Sequence, residues 1–139
     1  MEKPHPSSSE PVLALLMILL LVAPSSSATV CVEEKLKPLR HIRGILVDPD
    51  GRPIPSTKVE ILKDEKSLTA VSTKEDGKFS FENLAAGTYR IRAEASGFVP
   101  ASYHVVLIRP KVSDKRILQM RLHVGGLEWC SDIQIIKAK

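Results

Sequence analysis

The chain has 139 residues, the length of one domain rather than two. Hydrophobic residues make up 43% and charged residues 26%, a globular composition that excludes collagen-like, coiled-coil and wholly disordered chains. The net charge of +4 is spread without a long basic run, which argues against a nucleic-acid tail, and aromatics at 4% are scarce for stacking sugars or bases.

Residues 12–23 read VLALLMILLLVA, an unbroken apolar run of twelve, followed by Pro24 and a small-residue stretch with Ser26 and Ala28. A membrane-spanning helix needs about 20 apolar residues, so the run predicts a signal peptide over 1–28, cleaved to leave one domain over 29–139 with no membrane span. The charged residues ahead of it are Glu2, Lys3 and Glu10. The basic start of such leaders is therefore weak, and a retained tether is the alternative.

Beyond the leader the apolar period is two, the period of a strand. Strands are expected over 40–48, 57–63, 67–73, 78–82, 88–95, 102–109, 115–124 and 132–137. Val59 and Ile61 share one face of the second strand, and Phe79 and Phe81 share one face of the fourth. In the fifth, Tyr89, Ile91 and Ala93 point in while Arg90 and Arg92 point out. In the seventh, Leu118, Met120 and Leu122 share a face. Asp-Gly turns at Asp50-Gly51 and Asp76-Gly77 separate strands, and Gly87 and Gly97 punctuate later gaps. Short strands with such turns predict an all-β fold, an antiparallel β-sandwich of seven to eight strands with immunoglobulin-like layering.

Cys31 and Cys130 are the two cysteines, and neither belongs to a Cys-x-x-Cys pair, which argues against a zinc knuckle or thioredoxin-like motif. In an exported chain they predict one disulfide. Closing a loop of about 100 residues contributes up to about 4.7 kcal/mol in the chain-entropy treatment. Trp129 stands beside Cys130 in the segment GGLEWC. It is expected to pack over the disulfide, with an exposed contact for sugar or protein as the alternative.

Residues 44–48 (GILVD), 50–54 (DGRPI) and 59–61 (VEI), followed by TKEDGKFSFENLAAGTYRIRAEASGFVP over 73–100, resemble a carboxypeptidase regulatory-like domain. The similar features are the threonine, the Asp-Gly turn, the aromatic strand, the Leu-x-x-Gly-x-Tyr corner and the Ser-Gly-aromatic loop. The resemblance covers roughly 42–107 and implies a seven-stranded prealbumin-like sandwich, in agreement with the strand count.

Catalytic relatives of this architecture provide motifs to test. The zinc peptidases that carry such a domain use His-x-x-Glu, and here His5, His41, His104 and His123 are followed three residues on by Ser8, Gly44, Leu107 and Gly126. Transthyretin-like hydroxyisourate hydrolases end in Tyr-Arg-Gly-Ser, whereas this chain ends in Ile136-Lys137-Ala138-Lys139. His41, between Arg40 and Arg43, echoes their histidine and arginine only faintly. In adhesin sandwiches with a Lys–Asn isopeptide bond, the promoting Glu sits four residues after the corner tyrosine. That position here is Ala93, and Glu94 is one residue late and on the outward side.

Two further constellations remain. Asp48, Asp50 and Asp76 sit on turns, but the Asp-Pro-Asp-Gly run lacks the loop-ending Glu of a calcium loop. His104 and His123 would approach each other only if their strands paired, and no third ligand accompanies them. Neither a cofactor nor a metal is expected. The chain therefore reads as a non-enzymatic, secreted or periplasmic module with a protein-interaction or structural role, acting through its end loops or by pairing at a strand edge. Its expected partner is an envelope or extracellular protein, with a carbohydrate-binding accessory module as the alternative and no nucleic-acid partner. The residues expected in its binding loops are Asp50, Arg52, Asp76, Phe98 and Trp129.

Overall fold

The computed structural model describes residues 35–109, 114–125 and 130–139, all within the compact unit Cys31–Lys139. The expected leader, Cys31 and Trp129 lie outside the described residues. Those residues form eight strands: β1 (Ile42–Val47), β2 (Lys58–Lys63), β3 (Lys66–Ser72), β4 (Lys78–Phe81), β5 (Gly87–Glu94), β6 (Ala101–Leu107), β7 (Arg116–Arg121) and β8 (Asp132–Lys137). No helix of the described residues is long and apolar enough to cross a membrane.

The strands build two four-stranded sheets, ordered β4-β1-β7-β8 and β3-β2-β5-β6. Alternation selects the face each strand buries. Val59, Ile61, Ile91, Ala93, Leu118, Met120 and Leu122 are fully enclosed, and Phe79, Phe81 and Tyr89 nearly so. Each large apolar side chain buried in this way contributes about 1.5–3 kcal/mol. Arg90 and Arg92 lie on the outer face, as the alternation requires. Leu84 is half-buried at the margin of the core.

One feature of the antiparallel expectation is corrected. β1 and β7 pair in parallel, Gly44 against Leu118 and Val47 against Arg121, while the remaining ladders are antiparallel. An alternating pattern identifies a strand and its buried face but carries no direction for its neighbour, so the sequence left this pairing open. The strand over 115–124 also ends earlier, at Arg121, where the Leu122 N–H reaches over to the Val47 carbonyl at 2.9 Å.

Gly44 makes the crossing of β4, β1 and β7 possible. A Cβ there would lie 2.2 Å from the Leu118 carbonyl oxygen and 2.7 Å from the Phe79 ring. Phe79 fills that space instead and meets Phe81 edge to face at 6.2 Å between ring centres. Replacing Gly44 with Ala is expected to cost about 1–3 kcal/mol by overpacking. Gly51→Ala, where a Cβ has nothing within 4 Å, is expected to cost only about 1 kcal/mol from its left-handed backbone. Urea denaturation of both variants checks the order; equal losses would contradict the packing argument.

Candidate functional site

Strand directions bring the loops expected to bind to one end of the sandwich. β1 runs toward Asp48, and β7, parallel to it, delivers residues 122–125 beside it. β4 runs the other way, so the turn preceding it, residues 74–77, stands at the same end. In the second sheet Lys58 faces Ser72 and Glu94, and Ala93 faces Ala101. The segments 48–57 and 95–100 therefore join them. Asp50, Arg52, Asp76 and Phe98 all lie at this end.

Local hydrogen bonds shape each loop. The Asp48 carboxylate oxygen Oδ1 accepts the N–H groups of Asp50 at 2.9 Å and Arg52 at 2.8 Å. Asp50 in turn pairs with Arg52 at 3.5 Å, and Asp76 pairs with Lys78 at 2.8 Å. The Lys78 ammonium beside Asp76 holds that carboxyl below its ordinary value. These aspartates are committed to turns and ion pairs on separate segments. Among the described residues there is no group of three His, Cys, Asp or Glu arranged to hold a metal.

Thr73 locks the first two loops together. Its hydroxyl donates to the Ile54 carbonyl at 2.7 Å and accepts the Thr57 N–H at 2.9 Å. Its backbone exchanges bonds with Ser56 and Thr57, each at 2.9 Å. The side chain is buried, so each of these groups would otherwise lack a partner away from water. Gly77 completes the contact: its φ is +72°, and a Cβ would meet the Leu46 carbonyl at 2.6 Å.

The other half of this end is fastened by Ser131. The buried Ser131 hydroxyl donates to the Val99 carbonyl at 2.6 Å and accepts the His123 N–H at 3.3 Å. The Tyr103 hydroxyl donates to the Ser131 carbonyl. Val99 N–H reaches His123 at 2.7 Å, Gly125 N–H reaches Gly97 at 2.9 Å, and Phe98 bridges to Val124. Phe98 packs against the core and is half-buried, whereas Val124 is 46% exposed. Val124 and Ser131 were absent from the sequence expectation. A lone valine and a lone serine carry no motif, and only the zipped loops give them roles.

The constellations weighed in the sequence are separated in space. His104 and His123 do not meet, because β6 and the segment after β7 belong to different sheets. His104 Nε2 lies 3.1 Å from an Arg90 guanidinium nitrogen, and His123 Nε2 lies 3.1 Å from Asp132. Phe98 and Tyr103 are both half-buried. Ala93 is enclosed and Glu94 exposed, which leaves the isopeptide position without a carboxylate. Cys130 is half-buried, and there is no free cysteine among the described residues.

The opposite end carries a shallow groove of about 450 Å³ where Arg40, His41 and Arg43 face Glu82 and Asn83. Nearby, Asp114 forms a two-pronged pair with Arg116, at 3.0 and 2.8 Å. The Arg116 guanidinium holds the Asp114 carboxyl far below the usual carboxylate range.

Comparison with known proteins follows from this geometry. Residues 41–122, more than half of the chain, match the carboxypeptidase regulatory-like domain family. The chain belongs to that family. It is 28% identical over 112 residues to mouse BOS complex subunit NOMO1, covering 75% of this chain and 8% of that protein. It is also 28% identical over 111 residues to human BOS complex subunit NOMO3, covering 74% of this chain and again 8% of the relative. The chain thus spans a small fraction of the length of these relatives. In shape it resembles Klebsiella pneumoniae 5-hydroxyisourate hydrolase, with a TM-score of 0.51 and 18% identity over 73% of this chain and 100% of that one. At that identity the likeness establishes the prealbumin-like fold alone.

Two predictions test the framework of the site. Thr73→Val is expected to cost about 1–3 kcal/mol, because it strands the Thr57 N–H and the Ile54 carbonyl, whereas Thr73→Ser restores most of the loss in chemical denaturation. Asp114→Asn is expected to cost about 1 kcal/mol at neutral pH. Because the folded state lowers the Asp114 pKa, its contribution is full above the unfolded value near 3.8 and is lost as pH falls through the lower folded value. The stability gap between wild type and Asp114→Asn should therefore stay constant from neutrality to mildly acidic pH and close only in stronger acid. A gap that closes on alkalinisation would contradict the pair.

Proposed function

We propose that this chain is an exported, non-enzymatic binding module that meets a protein partner through its loop end. The observation that carries this reading is the convergence of loops from both sheets at one end, fixed by Thr73 and Ser131. There the exposed Val124 and the half-buried Phe98 lie at the same end as Asp50, Arg52 and Asp76. Apolar and charged side chains side by side on a preformed surface suit a protein contact. Similarity to proteins named as subunits of a complex supports a partner of this kind.

In this reading the leader over 1–28 directs export, to a secreted or periplasmic location. A Cys31–Cys130 disulfide then staples the two ends of the mature domain together. The carbohydrate-binding alternative has less support, because the described aromatics at this end are partly buried and form no stacking platform.

A photo-crosslinking residue at Val124 of the full chain is expected to yield a discrete protein adduct in its native fractions, competed by the unlabelled chain. Arg52→Glu, at a side chain that is 77% exposed, should weaken capture about five- to tenfold without changing thermal stability. Adducts arising instead from a probe at exposed Thr88, at the opposite end, or capture of glycan alone, would contradict the assignment.

A further inference from the structure

We propose that the free edge of β8 binds an acidic segment of another polypeptide in extended conformation, as an added strand. This surface is separate from the loop end, and the inference does not depend on that reading.

β8 is an outermost strand of its sheet. A groove of about 410 Å³ touches five consecutive residues of it, 133–137, together with Lys35, Leu36, Lys37 and Arg116. Successive side chains of a strand point to opposite faces, so a groove that touches five in a row follows the edge of the strand rather than either face. The backbone is turned the right way. Ala138 N–H donates to the Lys115 carbonyl at 2.8 Å, in register with the β7–β8 ladder. Alternation along an antiparallel ladder then directs the N–H and C=O groups of Ile133, Ile135 and Lys137 away from β7. Among the described residues, no backbone hydrogen bond outside that ladder reaches these three.

The other outer strands are less suited. Leu39 bonds on both sides of the end of β6, from its N–H to Val106 and from its carbonyl to Ile108. β4 has four residues. β3 is offset by a bulge in its ladder with β2, a common way of blunting an edge.

Charge selects the occupant. Lys137 lies directly opposite Arg116 in the ladder, a like-charge pairing that destabilises a sheet. Arg116 is answered by Asp114, but no carboxylate stands within ion-pair distance of Lys35, Lys37 or Lys137 among the described residues. Ammonium groups with no carboxylate partner among the described residues, bordering an edge with an apolar floor from Leu36, Ile133 and Ile135, fit a strand that alternates acidic and apolar side chains. Main-chain bonds supply affinity in this mode and side-chain pockets supply choice.

The test uses the full chain and three labelled peptides, read by fluorescence anisotropy: one alternating Glu and Val, one alternating Lys and Val, and the Glu peptide N-methylated at alternate residues. The Glu peptide is expected to bind at least about tenfold more tightly than either of the others, with binding weakened by salt. The double variant Lys35→Glu/Lys137→Glu should lose about tenfold in affinity with thermal unfolding no lower than that of the wild type, since the carboxylate introduced at position 137 would face Arg116. Arg52→Glu should leave this binding intact, which separates it from the loop end. Equal binding of the N-methylated peptide would show charge attraction without strand addition and overturn the proposal. So would undiminished binding by the double variant, or capture of phosphatidylserine vesicles with no binding of the Glu peptide.

Discussion

The close approach of β1 and β7 at Gly44 is the contact on which the rest of the architecture depends. With no side chain at that position, the Leu118 carbonyl and the Phe79 ring occupy the space a Cβ would take, and β1 can lie between β4 and β7. The parallel sense of β1 against β7 then has a geometric consequence. Both strands finish at the same end, so the chain after β7 emerges beside the loop after β1 rather than at the far end of the sheet. A sandwich joined only by antiparallel neighbours would distribute these two loops differently.

Gathering loops at one end produces a surface only if they are held in place. Here that is done by buried polar side chains on either half, Thr73 and Ser131, each satisfying backbone groups of neighbouring segments. Buried hydrogen bonds of this kind contribute modestly when made and cost more when one partner is removed, so they specify loop shape more than they add stability. A preformed surface also loses less conformational entropy on association. Among the described residues of the loop end, no group of three His, Cys, Asp or Glu is arranged to hold a metal.

Much of this was readable from the residues. Alternation in β2, β4, β5 and β7 identified the buried face of each, because a half-buried strand must alternate, and the Asp-Gly turns marked the gaps because they take left-handed backbone. Asp50, Arg52, Asp76 and Phe98 lie on loops at one end of the sandwich, and their binding role is a proposal; Trp129 lies outside the described residues. What was not readable depends on partners distant in the chain. Periodicity gave no sign that β7 runs parallel to β1. Thr73 was visible as part of a family pattern, but its task of bonding residues 54 and 57 appears only once the loop folds back. Phe98 was expected as a loop contact, yet its ring is drawn partly into the core, leaving Val124 as the exposed apolar tip. Pairing at a strand edge was open from the sequence, but not which edge, because a free backbone edge has no composition of its own.

In the reading proposed above, the loop end rather than a sheet face meets the partner. Hydrogen–deuterium exchange of the full chain, alone and captured on its native fractions, tests it most directly. New protection is expected to concentrate in residues 49–55, 74–77 and 95–99, with the amides of β2 and β5 unchanged. Protection confined to the outer face of either sheet, with those loops exchanging as in the free chain, would contradict it.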